Sequence, residues 1–92
     1  MTRVFVVYEQ EPDPERYAQH AGLCHQVEGG TFRHGKIFGA PFGDPPCAYY
    51  AEFEWADMDA FKAAVRSEEF AAAGKDAMEM GIPMTVHFVA VE

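Results

Sequence analysis

Thr31-Phe-Arg-His-Gly-Lys-Ile-Phe-Gly39 and Ala48-Tyr-Tyr-Ala-Glu-Phe-Glu-Trp55 are two strand-like segments joined by Ala40-Pro-Phe-Gly-Asp-Pro-Pro46. Proline and glycine punctuate secondary structure, so the joining piece reads as a loop without a helix. Two strands therefore follow one another in mid-chain. From Tyr50 the second strand separates its faces, with Ala51, Phe53 and Trp55 on one side and Tyr50, Glu52 and Glu54 on the other. Gly35, inside the first, predicts a bulge or a close backbone approach.

Working outward, each flank supplies one helix and one strand. Upstream, Arg3 to Glu9 is β-branched and aromatic and predicts the first strand. Asp13-Pro14-Glu15 is a helix start, with a capping carboxylate, a proline suited to the first helical position and an acid at the positive end of the dipole. Tyr17, His20, Ala21 and Cys24 follow at i, i+3, i+4 and i+7, which is one helical face, and Gly29-Gly30 ends the segment. Downstream, Asp57 caps a second helix whose buried stripe is Phe61, Ala64 and Val65. Ser67-Glu68-Glu69 restarts or bends it, Phe70, Ala73, Ala77 and Met78 continue its apolar face, and Gly81 and Pro83 stop it. Met84 to Val91 is the last strand.

The order β-α-β-β-α-β is the ferredoxin-like split arrangement in the α+β class. It predicts a four-stranded antiparallel sheet with both helices on one face, in a single domain spanning residues 1–92. The other face carries Phe5 and Val7 beside Arg3. Its simplest cover is a second copy, sheet against sheet, so a homodimer through the sheet face is expected.

Composition narrows the partners. Half of the chain is hydrophobic (49%) and 24% is charged, which excludes intrinsic disorder. Fifteen acids against seven bases give a net charge of −8, the reverse of what phosphate binding needs, so neither nucleic acid nor an anionic membrane surface is an expected partner. No apolar run approaches the length of a membrane span, and Met1-Thr2-Arg3 leads into a strand rather than a signal peptide. Cys24 and Cys47 form no Cys-x-x-Cys or zinc pattern and are expected to be reduced in a cytoplasmic protein. Gly-x-Ser-x-Gly, His-Glu-x-x-His, phosphate-loop and dinucleotide fingerprints are all missing from the sequence, so hydrolase, zincin, nucleotide and nicotinamide readings lack support.

Several short stretches carry a family likeness. They are Val7-Tyr8, Asp13-Pro14-Glu15-Arg16-Tyr17, His25 eight residues after Tyr17, Phe38-Gly39-Ala40-Pro41 and Tyr50-Ala51-Glu52-Phe53. Asp57-Met58-Asp59-Ala60-Phe61, Ser67-Glu68-Glu69-Phe70 and Val86-His87-Phe88 complete the set. In order and spacing the chain resembles the EthD family of the dimeric α+β barrel superfamily. The resemblance implies a ferredoxin-like protomer and a homodimer whose two sheets form a barrel. Related barrels include cofactor-free monooxygenases, polyketide cyclases, lactone isomerases and haem-dependent enzymes. The chain departs from the family pattern after His25, where Gln26-Val27-Glu28-Gly29-Gly30 stands in place of a Pro-Leu pair and a longer stretch.

Histidine is the natural proton carrier near neutrality. His20 and His25 are five apart on the first helix, about 140° around it, and do not share a face as a helical metal pair would. No metal and no cofactor are expected. His25 is the leading proton-transfer candidate, with Tyr17 and His87 beside it, and Tyr8, Phe61, Phe70 and Met78 are expected to line a ligand pocket. A tyrosine and a histidine in an apolar pocket suffice for keto-enol proton transfer. The expected function is a small cofactor-independent enzyme that isomerises, cyclises or oxygenates an apolar or aromatic oxygenated molecule. The alternative is a non-catalytic small-molecule-binding or accessory protein with the same pocket. Glu52 and Glu54, at i and i+2, are expected to pair with Arg33 or Lys36 across strands.

Overall fold

In the computed structural model, which describes Met1–Glu92, three side-chain oxygens set the helix starts. Asp13 accepts from the Arg16 amide and opens α1 (Pro14–Cys24), with Pro14 in its first turn. Asp57 accepts from the Ala60 amide and opens α2 (Met58–Val65). Ser67 accepts from the Phe70 amide and opens α3 (Glu68–Met80), so the second helical stretch restarts rather than bends. Gly81, at φ 70°, closes α3 in the left-handed region, where a side chain would be strained. The first helix ends sooner than its Gly29-Gly30 terminator. The Gln26 and Val27 amides bond three residues back, to Leu23 and Cys24, and this tightened turn returns the chain so that Val27 is buried.

The strands are β1 (Thr2–Tyr8), β2 (Thr31–Lys36), β3 (Tyr49–Trp55) and β4 (Met84–Ala90), all within three residues of the sequence reading. They form one open antiparallel sheet in the order β2-β3-β1-β4. Register fixes what each face carries. Towards the helices stand the rows Phe88, Val4, Phe53, Phe32 and then Val86, Val6, Ala51, His34. All three helices lie on that face: Tyr17 of α1 packs edge-on to Tyr8, Phe61 of α2 to Trp55, and Phe70 of α3 tilts on Phe53. Trp55, Tyr8, Tyr17, Val4 and Cys24 are the largest fully buried side chains.

Close approach requires one glycine and crowds a second. A Cβ on Gly30 would lie 2.7 Å from Trp55 Nε1 and 3.0 Å from the Glu54 carbonyl, so the indole can seal the core only over a glycine. Gly35 causes no bulge, since β2 pairs with β3 without a break. Instead the Tyr50 ring lies over it, 3.3 Å from where its Cβ would be.

The face away from the helices resolves the paired glutamates. Glu52 is buried although it carries a charge, and Arg3 of β1 and Arg33 of β2 reach it from both sides, at 3.6 and 3.1 Å. The same two guanidiniums bond Glu54. Lys36 pairs with Glu11 instead. Two cations and two anions thus lie in one interlaced patch, with Phe5, Val7 and Tyr50 beside it. No helix is long and apolar enough to cross a membrane.

Candidate functional site

A buried imidazole needs partners for both ring nitrogens. The α1 stripe places His20 inside, 4% exposed, and α3 supplies the first partner. His20 Nδ1 lies 2.9 Å from Asp76 Oδ2. Arg16, one turn earlier on α1, holds the same carboxylate with two bonds, Nη1 to Oδ2 at 3.1 Å and Nη2 to Oδ1 at 2.7 Å. The Arg16 bond holds the Asp76 carboxyl below its usual range, so it is ionised and accepts. Nδ1 therefore carries the proton, and Nε2 keeps its lone pair. One turn further along α1, Cys24 Sγ lies 3.4 Å from that Nε2, and its thiol donates. Burial lowers the His20 pKa, with Arg16 adding to the effect and Asp76 opposing it, and burial pushes the Cys24 thiol up to about 12. The resting set is Asp76⁻, neutral His20 and neutral Cys24.

His20 and Cys24 line a cavity of about 260 Å³ between α3 and the sheet, and Asp76 holds His20 from behind, outside the lining. The cavity exists because small residues face one another across the layers, Ala51 on β3 against Ala73, Gly74 and Ala77 on α3. The wall is otherwise apolar and aromatic, and Met78, Val86 and Phe88 stand exposed at its rim. Tyr8 lines the same wall, and its hydroxyl lies 3.2 Å from that of Tyr17. Burial raises both phenols above their ordinary value, Tyr17 the more strongly, so both stay protonated.

On the outer side of Tyr17 lies a second, more polar cleft of about 460 Å³, lined by Glu11, Tyr17, His25, His34 and Tyr49 among others. His34 Nδ1 is 2.6 Å from the Tyr49 hydroxyl, and the His25 ring stands edge-on to Phe32. Burial, then His25 and His20, lower the His34 pKa.

The sequence candidates are thus divided. Tyr17 and His25 meet in the outer cleft, while Tyr8, Phe70 and Met78 line the apolar cavity. Phe61 stands one layer back, behind Phe88 and Trp55. His87 is on the opposite face of the sheet, exposed, paired across strands with Phe5 and bonded only to Thr85, so it meets neither Tyr17 nor His25. The reason is strand parity, because Val86 and Phe88 take the helix side. His20, Cys24 and Asp76 were not among those candidates. The signal for the first two was their i, i+4 spacing on a buried stripe, which forces a histidine and a thiol into contact. Asp76 had no local signal. Both cysteines are free, and no three His, Cys, Asp or Glu side chains converge as a metal ion would need.

The electrostatics predict how stability depends on pH. In the folded protein His20 and His34 hold protons less well than the ordinary value of 6.5, so below that pH the unfolded chain takes up protons that the folded one refuses. Stability is then lost as pH falls. Asp76 acts in the same direction at lower pH, because its bonds are lost only once it protonates, below its ordinary 3.8. Urea midpoints should therefore drop as pH falls from 7 through 6, and His20→Asn should flatten that drop relative to wild type. A His20→Asn protein with the same slope would show that His20 is not held neutral.

No family model matches the sequence, and no curated protein matches it. Solved structures do. An ethyl tert-butyl ether (EthD) family protein from Bacillus halodurans is 25% identical, with 100% of this chain and 99% of that one covered and a TM-score of 0.81. A dimeric ferredoxin-like protein of unknown function from Jannaschia sp. CCS1 is 18% identical, covers 98% of each chain and scores 0.75. A cofactor-independent oxygenase from Streptomyces nogalater is 18% identical over 98% of this chain and 90% of that one, at 0.61. The EthD-type, ferredoxin-like α+β fold implied by the motifs is the fold of this chain. Proteins that share it include some of unknown function and an oxygenase, so the fold selects no reaction.

Proposed function

We propose that the protein is a small enzyme that moves protons on an apolar or aromatic oxygenated molecule held in the cavity between α3 and the sheet. The carrying observation is the His20–Asp76 pair, with Nε2 unprotonated and His20 itself in the wall of an apolar chamber. A carbonyl compound seated there would meet two complementary groups. Nε2 takes a proton from the carbon beside the carbonyl once the thiol turns aside about its own side-chain torsion. Asp76 stabilises the imidazolium that forms. When Tyr17 donates within the hydroxyl pair, the Tyr8 proton is free to bond the developing enolate oxygen. The apolar wall lowers the polarity around these groups and strengthens each of these interactions. The chemistry needs only protein groups, in keeping with the oxygenase of this fold described as cofactor-independent.

In this reading the proton-carrying role assigned to His25 passes to His20, and Tyr17 acts through Tyr8. The chain works as one EthD-like domain of residues 1–92, as a homodimer closed through the open sheet faces, with reduced cysteines in the cytoplasm.

The test is deuterium exchange at the acidic carbon of aryl ketones such as phenylacetone in D₂O, followed by NMR. Wild type should exceed the buffer rate, and His20→Asn should lower the excess about 10²-fold or more. Ketone that binds by saturation transfer but exchanges only at the buffer rate would leave a binding protein. Undiminished exchange in a folded His20→Asn would remove His20 as the base.

A further inference from the structure

We propose that Cys24 is a nucleophile, and that the cavity captures uncharged apolar α,β-unsaturated carbonyl compounds as thioethers on its sulfur. Three observations meet here. Asp76, His20 and Cys24 are linked in series, at 2.9 and 3.4 Å, in the order that activates a thiol. The sulfur lies in the wall of a chamber whose lining is almost wholly apolar. The carboxylate is fixed by two bonds from Arg16, so the imidazole is oriented before any ligand arrives. Cys47, half-buried, has no such partners and serves as an internal control.

The thiol is neutral at rest because burial opposes the thiolate, so proton and electron pair must move together. As Sγ bonds the β-carbon, its proton passes to His20 Nε2 and the π pair of the C=C bond moves through the carbonyl to its oxygen. The imidazolium, held by Asp76, then returns the proton to the α-carbon. The product is a saturated carbonyl thioether whose mass is the sum of protein and ligand. Nothing leaves and nothing is oxidised or reduced. An enone fits the wall better than an anionic acceptor does, since a carboxylate would face apolar side chains with no Lys or Arg lining the cavity.

The inference rests on the same cavity as a ligand site but adds a chemistry that proton exchange does not need. The experiment is intact mass and peptide mapping of the folded protein treated with benzalacetone, in parallel with 3-benzoylacrylate, an aromatic enone that bears a carboxylate. Expected is one benzalacetone adduct per chain on Cys24, formed faster than on Cys47 and faster than with the benzoylacrylate. It should be lost in Cys24→Ala, kept in Cys47→Ala and slowed about 10²-fold in His20→Asn. Ala77→Phe, which fills the chamber from α3, should slow it too and keeps the proposal open to test if His20→Asn fails to fold. Labelling of Cys47 ahead of Cys24, or equal rates in wild type and folded His20→Asn, overturns the proposal. Ketone exchange without an adduct defeats this inference alone, and an adduct without exchange defeats the proton-transfer reading alone.

Discussion

Asp76→Asn is expected to lower protein-catalysed ketone exchange by about 10²- to 10⁴-fold while leaving the sheet intact. The size follows from the number of donors aimed at two oxygens. Oδ2 receives both His20 Nδ1 and Arg16 Nη1, and Oδ1 receives Arg16 Nη2. An amide has one oxygen. If that oxygen takes the Oδ1 position, the NH₂ faces Nδ1 and forces the proton onto Nε2, which removes the base. If it takes the Oδ2 position, the NH₂ faces Arg16 Nη2, donor against donor. Either way the negative charge that stabilises the imidazolium is gone. NMR exchange rates give the loss directly, and far-UV circular dichroism checks the fold. A variant within tenfold of wild type would show that His20 works without its carboxylate. The acid-limb loss of stability assigned to Asp76 should vanish in the same variant, because an amide takes up no proton in that range.

The elements that position this site were legible where the pattern is local. Period-two alternation placed Ala51, Phe53 and Trp55 inward, and the 3.6-residue stripe placed Tyr17, His20, Ala21 and Cys24 inward; all of these are buried. What pairs with a buried group was legible only when the partner lay on the same helix. His20 and Cys24 are one turn apart, whereas Asp76 comes from 56 residues away, in a stretch that reads Ala-Ala-Gly-Lys-Asp-Ala. Packing of α1 on α3 makes that contact, and no period in either helix encodes it. His25 attracted attention by its offset from Tyr17, but its amide still bonds Ala21 in helical fashion, so it stands about 100° around the helix from Cys24, off the buried stripe and in the outer cleft. The cavity was the hardest feature to foresee, because it consists of missing volume. Ala51, Ala73, Gly74 and Ala77 each look like ordinary packing residues until register sets them against one another. Arg3 was overlooked as the second clamp on Glu52 and Glu54 because the strand order puts β1, not only β2, beside β3.

Phe5→Glu is expected to turn a micromolar dimer into a folded monomer. The open sheet face combines Phe5, Val7 and Tyr50 with a patch in which Arg3 and Arg33 are matched by Glu52 and Glu54. Such a face can be covered without stranding a charge, because each ion already has its counter-ion within the protomer. A glutamate at position 5 ends that balance. It would stand directly opposite Glu52 on β3, where like charges repel across strands. In a two-fold dimer it enters the interface twice. Covering one unpaired carboxylate costs on the order of several kcal/mol, and each 1.4 kcal/mol is about tenfold in dissociation constant, so two copies should weaken pairing by at least about 10³-fold. The isolated protomer should tolerate the change, since position 5 is only half-buried before pairing and its backbone bonds are unaffected. Sedimentation equilibrium of wild type and variant decides the matter. A monomeric wild type would refute pairing through the sheet. A variant that stays dimeric would move the interface elsewhere, and the loop bearing the fully exposed Phe38 and Phe42 would then be the surface to examine.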